Sequence, residues 1–414
     1  MLNELERKLK IKRARVLARY NCYEMKNGMK NYGIAVPDSM KAMVSVLGWC
    51  AKSVDGLADR LTFRGFAGDD FNIMKIYEHN NPDMLFDSAV TSALVGSCAF
   101  VYIAEDEDGY PTLQVVDGAN ATGKIDETTG MLTEGYAVLK RDDKGAEELT
   151  AYFEPYRTVY YEGVNPVREF EHPVPFPLLV PIIHRPDAVR PFGRSRISRA
   201  CMRIMQDARE VVRLSMVAAQ FYSFPQRYVV GTDDNLELDR WRAAVSTMFN
   251  ISKGEDGTIP NIGQFQQQSM EPLFSQLKIY ASLFSGETGI SLQELGFTDA
   301  NPASADAIIS GREGLLLNAR KAQRNFGSGF LNAGIAAASL RDKTAYNRHE
   351  FRRTKPEWYP VFEPNLSTLG DSIIKINQAV PGFFDRESIS KLSGIDVEDR
   401  AALTLNAALS EETA

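Results

Sequence analysis

Between Ile197 and Tyr222, small or apolar residues recur at three- and four-residue steps: Ile197, Cys201, Ile204, Ala208, Val211, Ser215, Ala219 and Tyr222. That is the helical period, and it commits the chain to one long helix with a packing face. A second series, Arg196, Arg199, Arg203, Gln206, Glu210 and Arg213, follows the same period and predicts a polar, mostly basic face elsewhere on the helix. A further helical run, residues 272–284 with Leu273, Leu277, Tyr280 and Phe284 on one side, follows an insert that starts at Phe224-Pro225. The insert holds a strand candidate at 227–230, a short helix at 236–248 and a glycine-containing segment at 254–263. If the two long helices lie antiparallel, the insert is a knob at their far end. It buries little of its own surface, so neighbouring copies of the chain are expected to complete it.

Residues 2–23 read as a helix carrying Arg7, Lys8, Lys10, Lys12, Arg13, Arg15 and Arg19. This is either a patch for nucleic acid or an acidic partner, or a solvated helix face. A helix over 38–61 (Val44, Leu47, Ala51, Val54, Leu57), a strand over 62–66 and helices over 70–79 and 82–96 follow. From Phe100 the period becomes two, with strands expected at 100–104, 112–116, 132–140, 149–154 and 158–161. Glycine-containing polar turns among the dividing segments predict an antiparallel meander, making the first 190 residues an α+β domain. The proline-rich piece 166–186 excludes regular helix and reads as a joint.

Residues 285–304 lack a period and read as a loop, and a long helix over 304–339 follows, with Ile308, Leu315, Leu316 and Ala319 apolar. Gly327-Ser328-Gly329 predicts a kink in it. Residues 346–365 have strand character, and helices at 369–379, 386–392 and 397–409 precede an acidic tail.

Four motifs stand in a fixed order: Val54-Asp55-Gly56-Leu57-Ala58-Asp59-Arg60-Leu61 with Arg64-Gly65-Phe66; Val180-Pro181-Ile182-Ile183-His184; Pro191-Phe192-Gly193-Arg194-Ser195; and Thr288-Gly289-Ile290 through Asn301-Pro302-Ala303-Ser304-Ala305-Asp306-Ala307-Ile308. Their order and spacing over roughly residues 15–400 resemble the portal, or head-to-tail connector, proteins of tailed bacteriophages, siphophage type.

That resemblance implies an α+β, portal-like fold. Residues 1–190 would be a mixed wing domain, 191–222 and 272–285 the antiparallel stem helices, and 223–271 a small α/β clip. Residues 286–303 would be a tunnel loop, 304–344 a long wing and crown helix, and 345–414 a wing strand and crown helices. It further implies a dodecameric ring at one capsid vertex, a channel for packaging and ejecting double-stranded DNA without sequence specificity. The implied partners are the terminase large subunit, major capsid and scaffolding proteins, and a head–tail adaptor. The protein would reside in the virion after assembly in the host cytoplasm, with no membrane contact. Channel-facing residues would be Glu287, Ser291, Gln293, Glu294, Asp299 and Asn301, and stem positions Arg199, Arg203 and Arg213. The crown region is shorter than the family pattern, which leaves its contacts open.

The net charge of −7 argues against simple basic nucleic-acid binding. It suits a conduit, because an acidic wall repels a polyanion and leaves it free to slide. The stretch from Gly118 to Lys124 matches a phosphate-cradling loop up to the lysine. Ile125 then stands where a Mg²⁺-holding hydroxyl is required, and a turn and strand are expected where a helix should begin. His79, His172, His184 and His349 lack zinc spacing, His184 reading as a structural residue, and no cysteine or serine sits in an activating motif. Cys22, Cys50, Cys98 and Cys201 read as reduced, buried thiols of a cytoplasmic protein. No catalytic residue, cofactor or metal is therefore expected. The alternatives are a nucleotide-binding enzyme using 118–125 and a monomeric adaptor binding through the basic N-terminal helix.

Overall fold

The computed structural model describes residues 2–28, 43–223, 227–230, 261–264, 269–297, 305–362, 366–384 and 386–393. The expected helices at 236–248 and 397–409 lie outside these residues. The N-terminal elements are α1 (Leu2–Tyr23), α2 (Trp49–Ala58), β1 (Phe63–Ala67), α3 (Ile73–His79) and α4 (Pro82–Gly96). Helix α2 starts later than its apolar spacing predicts, and residues 43–48 are not helical. Their polar groups are used elsewhere: Ser45 Oγ donates to the Arg209 carbonyl at 2.6 Å, and Arg209 Nε donates back to the Ser45 carbonyl at 2.9 Å. Helix α3 begins at Ile73 because the Asp69 carboxylate accepts from the Ile73 and Met74 amides at 2.9 and 2.8 Å, occupying orphan donors of the first turn.

The strands that follow are β2 (Cys98–Glu105), β3 (Pro111–Asp117), β4 (Ala121–Ile125), β5 (Leu132–Arg141), β6 (Glu147–Glu154), β7 (Arg157–Glu162), β8 (Asn165–Glu171) and β9 (Leu179–Ile183). The expected single meander divides into two sheets, a five-stranded meander β4-β5-β6-β7-β8 and a three-stranded sheet β3-β2-β9. The proline-rich stretch is no joint. It supplies edge strand β8 and core strand β9, whose Leu179, Val180 and Ile182 are fully buried. Pro181, opposite Phe100, is tolerated because β9 is the edge of its sheet and loses no ladder bond on the open side.

The remainder is α5 (Arg199–Ser223), β10 (Arg227–Val230), β11 (Asn261–Gln264), α6 (Glu271–Thr288), α7 (Ala305–Arg341), β12 (Lys355–Trp358), α8 (Leu366–Ala379) and α9 (Arg386–Ser393). β12 returns to pair antiparallel with β1, Phe63 facing Trp358. Phe63, Phe86, Phe330 and Trp358 pack ring against ring there.

Helix α7 runs unbroken through Gly327-Ser328-Gly329, where the sequence predicts a kink. A Cβ at Gly327 would lie 2.8 Å from Pro356, at Gly329 2.8 Å from Ile182, and at Gly334 2.3 Å from Ile73. These glycines let β12, β9 and α3 approach the helix backbone. Helix α1 straddles both halves of the domain: Leu5 and Leu9 join Tyr136, Val138 and Tyr152 of β5 and β6, and Val16 packs over Gly96.

Candidate functional site at the base of the helix hairpin

Helices α5 and α6 run antiparallel. At their base, Ser198 Oγ donates to Glu287 at 2.7 Å and Arg196 donates to the Thr288 carbonyl. At the far end β10 pairs antiparallel with β11, from Arg227 opposite Gln264 to Val230 opposite Asn261. Cys201, Met205 and Ala208 of α5 and Ala281, Phe284 and Thr288 of α6 are buried between and beneath the helices. The face of α6 turned away from that seam carries Ile279 at 59% and Leu283 at 54% exposure.

The polar face of α5 is less solvated than its spacing predicts. Arg199 and Arg203 are exposed, and Arg203 pairs with Asp207 at 3.0 Å. Arg213, by contrast, is buried against Glu210. Arg196 is also buried: its backbone N–H donates to the Leu94 carbonyl at 2.8 Å and its guanidinium to the Ser53 and Thr288 carbonyls, joining α4, α2 and α6. Burial pulls its pKa down to about 10, which leaves it charged at neutral pH. Arg209, which the period overlooks, is buried and donates to Asn27 as well as Ser45. Only the presence of carbonyl acceptors makes such burial tolerable, and a one-dimensional period does not register them.

Residues 191–195 form the turn that delivers the chain from β9 to α5. Gly193 has φ +70, and a Cβ there would lie 2.1 Å from the His184 carbonyl oxygen. Arg194 N–H donates to that carbonyl at 2.8 Å, while His184 Nδ1 lies 2.7 Å from the Arg194 carbonyl. Ser195 Oγ donates to the Val95 carbonyl at 2.7 Å. His184 is thus structural, as its position suggests, and burial lowers its pKa to about 3.

An unfolded histidine titrates near 6.5, so acid protonates the unfolded chain first. The stability contributed by neutral His184 is complete above that value and is lost as pH falls toward 3, at up to ~1.4 kcal/mol per pH unit. Urea midpoints measured at pH 7 and pH 5 should fall accordingly. His184→Asn, which keeps a donor near the Nδ1 position, should flatten that slope; an unchanged slope would assign it to other groups.

Residues 286–288, expected to open a loop, are the last of α6, which Gly289 ends in a left-handed cap. Residues 290–297 then form a packed turn with Ile290 and Leu295 buried and Phe297 edge-on to Trp49. Glu294 forms an ion pair with Arg60 at 2.8 Å and accepts from Ser291 N and Oγ at 3.1 and 3.2 Å. Of the expected loop residues, the fold brings Ser291 and Glu294 together, seats Glu287 on Ser198 and leaves Gln293 exposed. Asp299 and Asn301 lie outside the described residues. Glu287 and Glu294 are therefore hydrogen-bonded carboxylates, and Arg60 offsets the charge of the second.

The phosphate-loop lookalike folds as β4, with Gly123 opposite Gly135 and Lys124 opposite Glu134 on β5. No helix begins there, so the nucleotide-binding alternative is not favoured; Lys124→Ala should leave the melting temperature unchanged with or without ATP and Mg²⁺. The basic helix α1 is in part an internal anchor. Lys12 donates to the Ala121 carbonyl at 2.9 Å and lies 4.7 Å from the Phe100 ring centroid, and Arg13 donates to Asn120 Oδ1 at 2.6 Å. All four cysteines are buried free thiols. Among the described residues no group of histidine, cysteine or carboxylate side chains could hold a metal ion, and no helix is long and apolar enough to cross a membrane.

The chain belongs to the family described as phage portal protein, SPP1 Gp6-like, whose family model matches residues 4–412. It is 21% identical over 403 residues to the portal protein of Mycobacterium phage L5, covering 91% of this chain and 82% of that one. To the portal protein of Mycobacterium phage D29 it is 22% identical over 404 residues, with the same coverage. Among solved structures it is similar to a chain in the virion of the native gene transfer agent particle, with TM-score 0.46 and 14% identity over 92% of this chain and 99% of that one. A second is a chain in the neck of the native gene transfer agent particle computed with C12 symmetry, with TM-score 0.44 and 14% identity over 91% and 98%.

Proposed function

We propose that this portal-family chain assembles into a dodecameric ring at one capsid vertex, where it forms the channel for packaging and ejecting double-stranded DNA. The observation that carries the reading is the apolar stripe of Ile279 and Leu283, left exposed by the described residues, on a helix hairpin whose far end holds the two strands β10 and β11. A surface of that kind calls for a lateral neighbour, and repeated heterologous contacts close into a ring. The described part of residues 1–190 would act as the wing, α5 and α6 as the stem, 223–271 as the clip and the C-terminal helices as the crown. Gln293, Asp299 and Asn301 would face the channel, with Glu287, Ser291 and Glu294 holding the base of that loop. The terminase large subunit and a head–tail adaptor would dock on the ring, with capsid and scaffolding proteins around it, so that the protein resides in the virion. A non-enzymatic role follows from this reading, the motor being a separate ATPase.

Negative-stain class averages of the purified chain should show rings, and monomers alone across salt and concentration would sink the proposal. The double change Ile279→Asp with Leu283→Asp should abolish rings while the melting temperature holds, since both positions are exposed in the monomer. Lengthening the chain between 298 and 301 should block DNA packaging while rings persist. That placement spares Ile290 and Leu295, which belong to the core, and unchanged packaging would refute the channel assignment.

A further inference from the structure

A cavity of about 410 Å³ opens between the β4–β5 hairpin tip, the 186–191 turn and α7. Its apolar wall includes Pro181, Ile183, Pro186 and Ala188. From α7 it receives Arg324 and Asn325. Asn325 Nδ2 is buried without a hydrogen-bond partner, and exposed Arg324 has no carboxylate partner among the described residues. The Asn325 amide is closed off from solvent, so the donor the cavity offers to an incoming acceptor is the Arg324 guanidinium. The acids on its rim differ in availability. Asp187 is held by Arg194 at 2.6 Å, and Asp126 accepts from Thr128 N and Thr129 Oγ1 in its own turn at 3.0 and 2.7 Å. Glu127 is exposed and is the like charge that an acidic ligand must avoid.

The complementary shape occurs on the same sheet. The β7–β8 tip presents Val164, 89% exposed, beside Gly163 at φ +60 and exposed Glu162, which has no cationic partner among the described residues. Following the meander from β4, its turns alternate between two ends of the sheet. The β4–β5 turn at the cavity lies at one end beside the first strand, and the β7–β8 turn lies at the other end beside the last. Four strand spacings separate the edges by about 19 Å, and the six residues of β7 add about 20 Å along the strands. Tip and cavity of one chain therefore cannot meet, whereas those of two copies can, and such a contact is head-to-tail.

We propose that the β7–β8 tip of one copy seats in this cavity of a second copy, Val164 against the proline-lined wall and the Glu162 carboxylate accepting from the Arg324 guanidinium. This rests on the ring reading and adds a second lateral contact, made by the sheet domain and independent of the α6 stripe. Two measurements on the full chain test it. In the first, Val164→Cys and Ala188→Cys are combined and oxidised glutathione is added to assembled rings. A ladder of disulfide-linked chains is expected, with none from wild type, whose cysteines are buried, and none from either single variant.

In the second, Glu162→Arg and Arg324→Glu should each weaken assembly about tenfold by mass photometry, and the pair together should restore it, as expected for a directly opposed charge pair. Intact rings with no ladder and no effect of either reversal would overturn the contact while leaving the ring in place. A wild-type chain that stays monomeric would overturn both.

Discussion

Gly193→Ala is expected to cost the protein roughly 3–5 kcal/mol, enough to remove much of the stability of an ordinary domain. Two costs combine at this site. The backbone sits at φ +70, where an L side chain is strained, and the new Cβ would press on the His184 carbonyl at 2.1 Å, a backbone atom with no rotamer to give. That carbonyl also accepts the Arg194 N–H, and His184 answers through the Arg194 carbonyl, so relief by backbone movement would break both bonds. Urea denaturation of the variant should show the loss directly. A cost below about 1 kcal/mol would mean that the turn relaxes freely and that its geometry does not hold α5 to β9.

Arg196→Ala is expected to cost about 3 kcal/mol, by a different route. The guanidinium supplies donors to the Ser53 and Thr288 carbonyls in a buried setting, and alanine would strand both acceptors and leave a void. Arg196→Lys should recover only part of the loss, because one ammonium does not reproduce the planar fork that reaches two elements at once. The damage should be local. Hydrogen exchange should rise first around residues 285–297, where the Thr288 carbonyl ends α6 and the packed turn begins. An increase spread evenly over the chain would argue against Arg196 as the bolt of the hairpin base.

Much of the fold was legible because several elements carry local signals that tertiary contacts do not override. Helix α1, helix α4 with its first-turn proline, strand β10 and the span of α7 fall within a few residues of their periodic patterns. The misreadings share one cause, backbone or side chains whose partners lie far away in sequence. Residues 43–48 have a helical apolar spacing, yet the hydroxyl and carbonyl of Ser45 are satisfied by Arg209, more than 160 positions downstream. Prolines made 166–186 look like a joint, while β9 tolerates Pro181 because only one of its edges is paired. The glycines of α7 suggest a bend until Ile73, Ile182 and Pro356 are seen against them.

The candidate site was less legible than the fold. Its acidic residues could be counted, but the pairing of Glu294 with Arg60 and the hydrogen bond from Ser198 to Glu287 could not. Burial of Arg196 and Arg213 was likewise hidden, because periodicity reports which residues share a face and not what lies opposite that face.

The pairing of β1 with β12 has a consequence for how the molecule is made. Phe63 emerges from the ribosome nearly three hundred residues before its partner Trp358, and Leu5 and Leu9 precede Tyr152 by about one hundred and forty. At typical bacterial elongation rates of roughly 5–20 residues per second, apolar surfaces of the earliest segments wait tens of seconds for cover. A nascent chain of this design has no independently closed N-terminal half to shelter them. Premature release should therefore yield sticky fragments, and chaperone occupancy should peak before residue 358 is translated.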